Sequence, residues 1–301
     1  MADDVHTDMG REQGGAAKPR AATGLLRALR IPLAIIAAYT AMAVWGEVEY
    51  RMARIRDATP SYNIVDETRR CEPPSMSHPM GTDNLGRDVM RRLVQGTRIA
   101  YHVGVMTSLI ALPLGVLLGC LGGYLGKWVD AMVVWLCATV SSVPALLLIL
   151  AVSMVVGKGL AGIYWGIGLT TWVGVCRNVR AEVIKHRDRP YVQAGRVLGY
   201  PWYRILFRHI LPNVMHIVLV SFSIRFPAAV GTEVFVSFLG IGVQGEPSWG
   251  VMLSDARSRL WQGVWWEMAF VTLAIFGLVL AFNVVADTLR DRLDPNARER
   301  E

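Results

Sequence analysis

Four stretches of this 301-residue chain contain no Asp, Glu, Lys or Arg: 99–126, 131–157, 159–176 and 268–286. Each is 18 to 28 residues long, and about 20 apolar residues in a helix cross the hydrocarbon core of a bilayer. Charged residues make up 18% of the chain and apolar ones 53%, against about 25% charged in an average soluble chain. A chain so short of charge cannot coat a water-facing surface, which argues against a soluble globular enzyme and against disorder. The reading is an all-α polytopic membrane protein. Four cysteines make no secreted disulfide framework: Cys120, Cys137 and Cys176 lie in or beside the apolar runs, where cysteine packs as a small residue. Cys71 alone sits in a polar segment, so no intrachain bridge is expected. The net charge of +7 reads as basic loops held against anionic lipid, not as a nucleic-acid surface.

The chain divides by composition. Residues 1–28 are polar and glycine-containing and read as a disordered cytoplasmic tail. Residues 29–46 read as a first, uncleaved span, with Arg27 and Arg30 snorkelling to the headgroups. Residues 47–98 form an extracytoplasmic segment. Near its end Leu85, Val89, Met90, Leu93 and Val94 recur at helical spacing, with Arg87, Arg91, Arg92 and Arg98 between them. This predicts an amphipathic helix in the membrane interface, with Thr82, Asp83 or Asn84 as its N-cap. Further spans are expected near 99–124, 131–156, 159–177, 206–240 and 266–286, six in all, giving a five-helix core over 99–288 and a cytoplasmic tail over 289–301. Gly115, Gly119, Gly122 and Gly123, then Ala138, Ser141, Ser142 and Ala145, are expected to let helices approach closely. Six spans put both termini on one side. That side carries 18 Lys and Arg against 12 on the other, which places the termini in the cytoplasm.

The cytoplasmic loop 178–208, between spans four and five, is the most informative segment. Asp188 or Arg189 followed by Pro190 suits a helix start, and Gly199 with Pro201 suits its stop. The result is one short helix in which Tyr191, Val192, Val197 and Leu198 present apolar surface. Composition alone divides evenly between a docking knob and a solvated loop.

Motifs decide between them. Gln193-Ala194-Gly195, then Gly199, then Ile210-Leu211-Pro212 resembles the E-A-A…G…I-x-L-P loop of ABC importer permeases. The run from His78 to Val89, H-P-M-G-T-D-N-L-G-R-D-V, is similar to the signature of the dipeptide/oligopeptide/nickel group of those permeases. Phe238-Leu-Gly-Ile-Gly242, Pro247-Ser-Trp-Gly250 and the tail from Asp287 to Pro295 resemble further stretches of the same group, in the same order. The segment before His78 resembles that of the C-type subunit.

The resemblance implies a type I importer fold. It also implies a second permease subunit, two cytoplasmic ATPases that bind ATP and Mg, and an extracytoplasmic binding protein that delivers substrate. The helix 189–200 would be the coupling helix, with Tyr191, Val192, Gln193, Ala194, Gly195, Val197, Leu198, Gly199, Leu211 and Pro212 at the ATPase contact. Two positions depart from the family pattern: Gln193 stands where the family has Glu, and Gly195 where it has the second Ala. The first removes a charged hydrogen bond, and the second costs about 1 kcal/mol of helix stability.

Arg225 and Glu233, inside the fifth span, are the candidate residues of the substrate path, since ionisable groups within spans are functional candidates. Glu233 matches a glutamate of the family, whereas Arg225 does not belong to its pattern. Eight helical residues rise about 12 Å, too far for a direct contact along a regular helix. The competing role for Glu233 is a structural hydrogen bond. No G-x-x-x-x-G-K-[ST] occurs, and no histidine or cysteine spacing suits a metal, so the chain is expected to be a non-catalytic subunit with no cofactor of its own. The alternative is an ion-coupled secondary transporter using Arg225 and Glu233, although the halves show no internal repeat of the kind common in that class.

Overall fold

The computed structural model describes residues 20–157 and 159–293, and the described residues are helical apart from turns, loops and one isolated β-bridge. The helices are α1 (Arg20–Ile55), α2 (Val89–Leu125), α3 (Lys127–Ser142), α4 (Ala145–Val156), α5 (Leu160–Arg187), α6 (Pro190–Val197), α7 (Trp202–Arg204), α8 (Leu211–Phe238), α9 (Trp249–Arg257) and α10 (Trp266–Leu293). A π-helical turn, Ile205–Ile210, joins α7 to α8. The expected tails meet helix at both ends: α1 begins at Arg20, inside the segment read as tail, and α10 continues to Leu293. Residues 1–19 and 294–301 lie outside the described residues.

Four helical segments among the described residues are long and apolar enough to cross a membrane: Leu29–Ile55, Val89–Leu125, Trp202–Phe238 and Trp266–Asp291. The third expected span is broken. Lys127–Ser142 and Ala145–Val156 meet at a bend of 90°, because Val143 turns extended ahead of Pro144 (φ −92°, ψ 134°). A residue before proline is driven out of the helical region. Counting this bent pair as one crossing gives five. Helix α5 falls short of that measure: its apolar part is diluted by Gly162, Gly166, Gly168, Thr170, Thr171 and Gly174, and its last three turns carry Arg177, Arg180, Glu182, Lys185 and Arg187.

No separate interfacial helix precedes the second span. Leu85 lies in a turn, and Val89 opens a 37-residue helix that runs unbroken to Leu125, about 55 Å at 1.5 Å per residue. The N-cap is Asp88, whose carboxylate accepts the Arg91 N–H at 3.0 Å. Thr82, Asp83 and Asn84 instead belong to the preceding loop, where Thr82 bridges to Asp88.

Close approach of helices follows the glycines of α2 and fails for the small residues of α3 and α4. Gly115, Gly119 and Gly123 face α5: a Cβ on them would stand 2.5 Å from Val175 Cβ, 2.7 Å from the Cys176 carbonyl and 2.9 Å from the Arg180 carbonyl. Gly122 faces Asp130 and Val133 of α3. Ala138, Ser141, Ser142 and Ala145, by contrast, are exposed around the 90° bend and pack no neighbour tightly.

Of four apolar clusters among the described residues, two mark the ends of the molecule. At the α2–α8–α10 junction Phe226 stacks on Phe282 at 4.4 Å, with Trp249 and Trp266 buried beside them. At the opposite end Val192 of α6 joins Ile205, Leu206 and Ile210 of the π turn and Val175, Val179 and Val183 of α5.

Candidate coupling and translocation sites

The short helix α6 is built as its punctuation requires. Pro190 occupies the first turn, where its missing N–H leaves nothing unsatisfied. Gly199 takes φ +75° just past the end, the left-handed conformation that favours glycine. The Tyr200 N–H then reaches back to the Gly195 carbonyl at 3.0 Å, closing the end of the helix.

Burial divides α6 into an anchor and a free face. Val192 is wholly buried and Gly195 is buried, both toward α5 and the π turn. Val197 is 88% exposed and Leu198 68%, and Tyr191, Gln193, Ala194 and Gly199 are exposed with them. Of the four apolar residues expected to lack cover, Val192 is therefore covered by the chain's own helices. Leu211 is half-buried against the cluster that holds Val192, and Pro212 is exposed. Pro212 lacks the N–H that the Arg208 carbonyl would take in a regular helix, and the Leu211 N–H bonds the Leu206 carbonyl five residues back, the wide turn of a π-helix.

The Gln193 side chain donates to the Asp188 carbonyl at 3.2 Å, so the amide closes the entry to α6. His186 Nδ1 lies 2.8 Å from the Tyr191 hydroxyl. Burial is the first cause of a raised Tyr191 pKa. Further toward the membrane Arg180 pairs with Asp130 through both of its carboxylate oxygens, one at 2.6 Å from Nη2, and ties α5 to α3. The buried side of α6 is thus packed against α5 and the π turn that leads into α8.

At the other end of α2 the loop His78–Asp88 is a folded plug. His78 Nδ1 sits 2.8 Å from Asp88 Oδ2. Thr82 Oγ1 donates to the Arg69 carbonyl at 2.5 Å and accepts the Glu72 N–H at 2.8 Å. Asp83 is fully buried and accepts the Leu85 and Arg87 N–H groups at 2.8 and 2.9 Å, together with the Arg87 and Arg92 guanidinium groups. Burial pushes its carboxyl up, but Arg92, Arg87 and the two backbone donors outweigh that and hold it below the ordinary value.

Two of the arginines expected on the polar side of an interfacial helix, Arg92 and Arg98, are turned inward. Arg92 is 2% exposed, on Asp83 and 3.4 Å from Asp255. Arg98 bonds Glu47 at 2.7 Å and Glu246 at 2.8 Å, with Tyr50 beneath its guanidinium at 3.7 Å. No helical periodicity signals these pairs, because Asp255, Glu47 and Glu246 lie far away in sequence.

Arg225 and Glu233 are not brought together. Glu233 is 1% exposed and accepts the Ser237 hydroxyl at 2.6 Å, and Ser237 in turn accepts the Val243 N–H at 3.1 Å. The carboxyl thus braces the turn after α8, the structural hydrogen bond weighed against a path role. Arg225 is half-buried and donates to the Thr171 carbonyl of α5. It borders a cavity of about 50 Å³ lined also by Thr107, Ser108, Ala111, Ala228 and Thr232.

The sequence that folds into these helices has counterparts among known proteins. Residues 111–299, more than half of the chain, match the model for the binding-protein-dependent transport system inner membrane component. The chain belongs to that family. Relatives include the dipeptide transport system permease protein DppC of Bacillus subtilis, 39% identical over 75% of this chain and 71% of the relative. The oligopeptide transport system permease protein OppC of the same organism is 36% identical over 79% and 78%. The glutathione transport system permease protein GsiD of Pectobacterium atrosepticum is 37% identical over 78% of each.

Membership of this family makes the chain a permease subunit of an ABC importer, a multi-pass membrane protein whose relatives are transport subunits and not catalysts. The ion-coupled secondary transporter considered from Arg225 and Glu233 is not the class to which these relatives belong.

Proposed function

We propose that this permease carries peptides or similar small solutes inward across the cytoplasmic membrane, as half of a path completed by a second permease subunit. The relatives are named for transport of dipeptides, oligopeptides and glutathione, which supports that substrate class. Two cytoplasmic ATPases bind ATP and Mg and drive the cycle, and an extracytoplasmic binding protein delivers the solute. Six crossings, with α3–α4 as one bent crossing and α5 as another, put both termini in the cytoplasm. The 18-to-12 division of basic residues supports that orientation.

The observation that carries the coupling is the two-sided construction of α6. Val192 roots it in the packed core while Val197 and Leu198 stand almost free. A helix fixed on one side and bare on the other receives a push without bending. ATP binding that favours a closed ATPase dimer then displaces α6, and the core helices rock as rigid bodies between two states. Residues Tyr191, Gln193, Ala194, Val197, Leu198, Gly199 and Pro212 form the ATPase contact, and Gly195, Val192 and Leu211 support it from beneath. Arg225 lies on the solute path, and Glu233 sets the turn at its outer end.

Purification of the tagged chain with its native neighbours tests the assignment. A P-loop ATPase and a second permease should co-purify, and the reconstituted complex should take up peptide only with ATP and the binding protein. Uptake by the chain alone in ATP-free liposomes would end the proposal.

A further inference from the structure

The cavity beside Arg225 lies at mid-depth among three packed helices. Thr107, on its α2 wall, is 18 residues from Val89 and 18 from Leu125, so each end of α2 is about 27 Å away. The arginine cannot snorkel over such a distance. Its one hydrogen bond goes to a backbone carbonyl, that of Thr171, and among the described residues no carboxylate lies within 4 Å of it. Among the described residues the fully buried arginines of the helix bundle (Arg92, Arg98 and Arg259) each have a carboxylate at ion-pair distance, and the half-buried Arg225 has none. Arg225 is the exception, and it faces open space.

The donor that the space offers to a small anion is the guanidinium itself. Four hydroxyls, from Thr107, Ser108, Thr171 and Thr232, border it with the short side chains of Ala111, Ala228 and Ala229, and each donates to the carbonyl four residues back in its own helix, so it serves an anion only by turning away from that carbonyl. About 50 Å³ is room for roughly three waters, and a carboxylate has three heavy atoms. A guanidinium offers N–H groups in a planar fork that matches a carboxylate in two-point contact. Gly174 on α5 also borders the guanidinium, and a Cβ there would collide with Nη2.

We infer that Arg225 and the hydroxyl-lined cavity beside it form a subsite for the terminal carboxylate of a peptide in transit. The subsite rests on the peptide-import reading above. A weak, single-charge site of this kind supplies the counter-charge that the arginine lacks at rest, and it releases the solute because only one side chain holds it.

The test compares trialanine with trialanine amide, each loaded to saturation on the binding protein so that upstream selection drops out. In proteoliposomes holding the complete complex, the wild type should move the free acid about 10-fold faster than the amide. Arg225→Gln should bring the acid-to-amide ratio down to about one, and Arg225→Lys should restore part of the difference. Equal acid-to-amide ratios in wild type and Arg225→Gln overturn the subsite while leaving the import function standing. Loss of the second permease from purified Arg225→Gln complex also overturns it, since the missing carboxylate then belongs to the partner. A wild-type complex that moves neither probe overturns the peptide reading itself.

Discussion

The indole Nε1 of Trp266 donates to the backbone carbonyl of Thr82 over 3.1 Å, joining the first turn of α10 to the plug that starts α2. Gly81 makes room for the ring: it holds φ +75°, and a Cβ there would stand 2.7 Å from the indole. The second and last long helices are thereby fixed to each other outside the membrane core.

Removing the ring opens a cavity and leaves a buried carbonyl unpaired. Trp266→Ala should destabilise the detergent-purified protein by about 3–5 kcal/mol, read as a lowered midpoint in thermal unfolding. Trp266→Phe should cost less, since it keeps most of the packing and loses the hydrogen bond. A Phe variant as damaged as Ala would show that the bond to Thr82 dominates.

Acid should loosen the same plug. The Asp83 carboxyl is held below its ordinary value of 3.8 in the folded protein, so the folded state binds its proton less readily than the unfolded state does. Its contribution is therefore complete above about pH 4 to 5 and is lost as pH falls from 3.8 through the lower folded value. Asp83→Asn should show no such loss in that window. At neutral pH it should already be about 3–5 kcal/mol less stable, because Arg92 is left buried without its full charge partner. Thermal midpoints measured from pH 3 to 7 on both proteins separate these outcomes.

Gly199 allows backbone strain to be separated from contact. A Cβ there meets nothing within 4 Å, yet φ is +75°. Gly199→Ala should raise the energy of the turn by about 1 kcal/mol and lower peptide-stimulated ATPase activity of the complex without altering its assembly. Gly199→Val, with a branched side chain, should lower it further. Unchanged activity in both variants would mean that the angle of α6 does not matter to coupling.

Much of this was visible in the residues. Pro190 and Gly199 bracket α6 as their stereochemistry demands, and the glycines at 115, 119 and 123 mark the face of α2 that meets α5. Other features were not, for definite physical reasons. The run 131–156 holds no charged residue to interrupt it, so the break at Val143–Pro144 is carried by one proline that the run conceals. The arginines at 92 and 98 look like the polar face of an interfacial helix until the fold delivers Asp83, Glu47 and Glu246, and ion pairs that join separate elements leave no periodic trace. Glu233 looked like a path residue because charge within a span is costly. Its partner Ser237 lies one helical turn away and was within reach of a local reading.

The central claim is that α6 transmits the force of another subunit's nucleotide chemistry, and its bare face offers the direct measurement. A cysteine placed at Val197, in a chain carrying Cys71→Ser, is treated in native vesicles with a short bifunctional thiol reagent. The account predicts capture of an ATP-hydrolysing subunit, with a yield that changes between the nucleotide-free and ATP-trapped states, while a cysteine at the buried position 192 captures none. Vesicles that hydrolyse ATP and import peptide normally, yet give no such adduct from position 197 in either state, would contradict it.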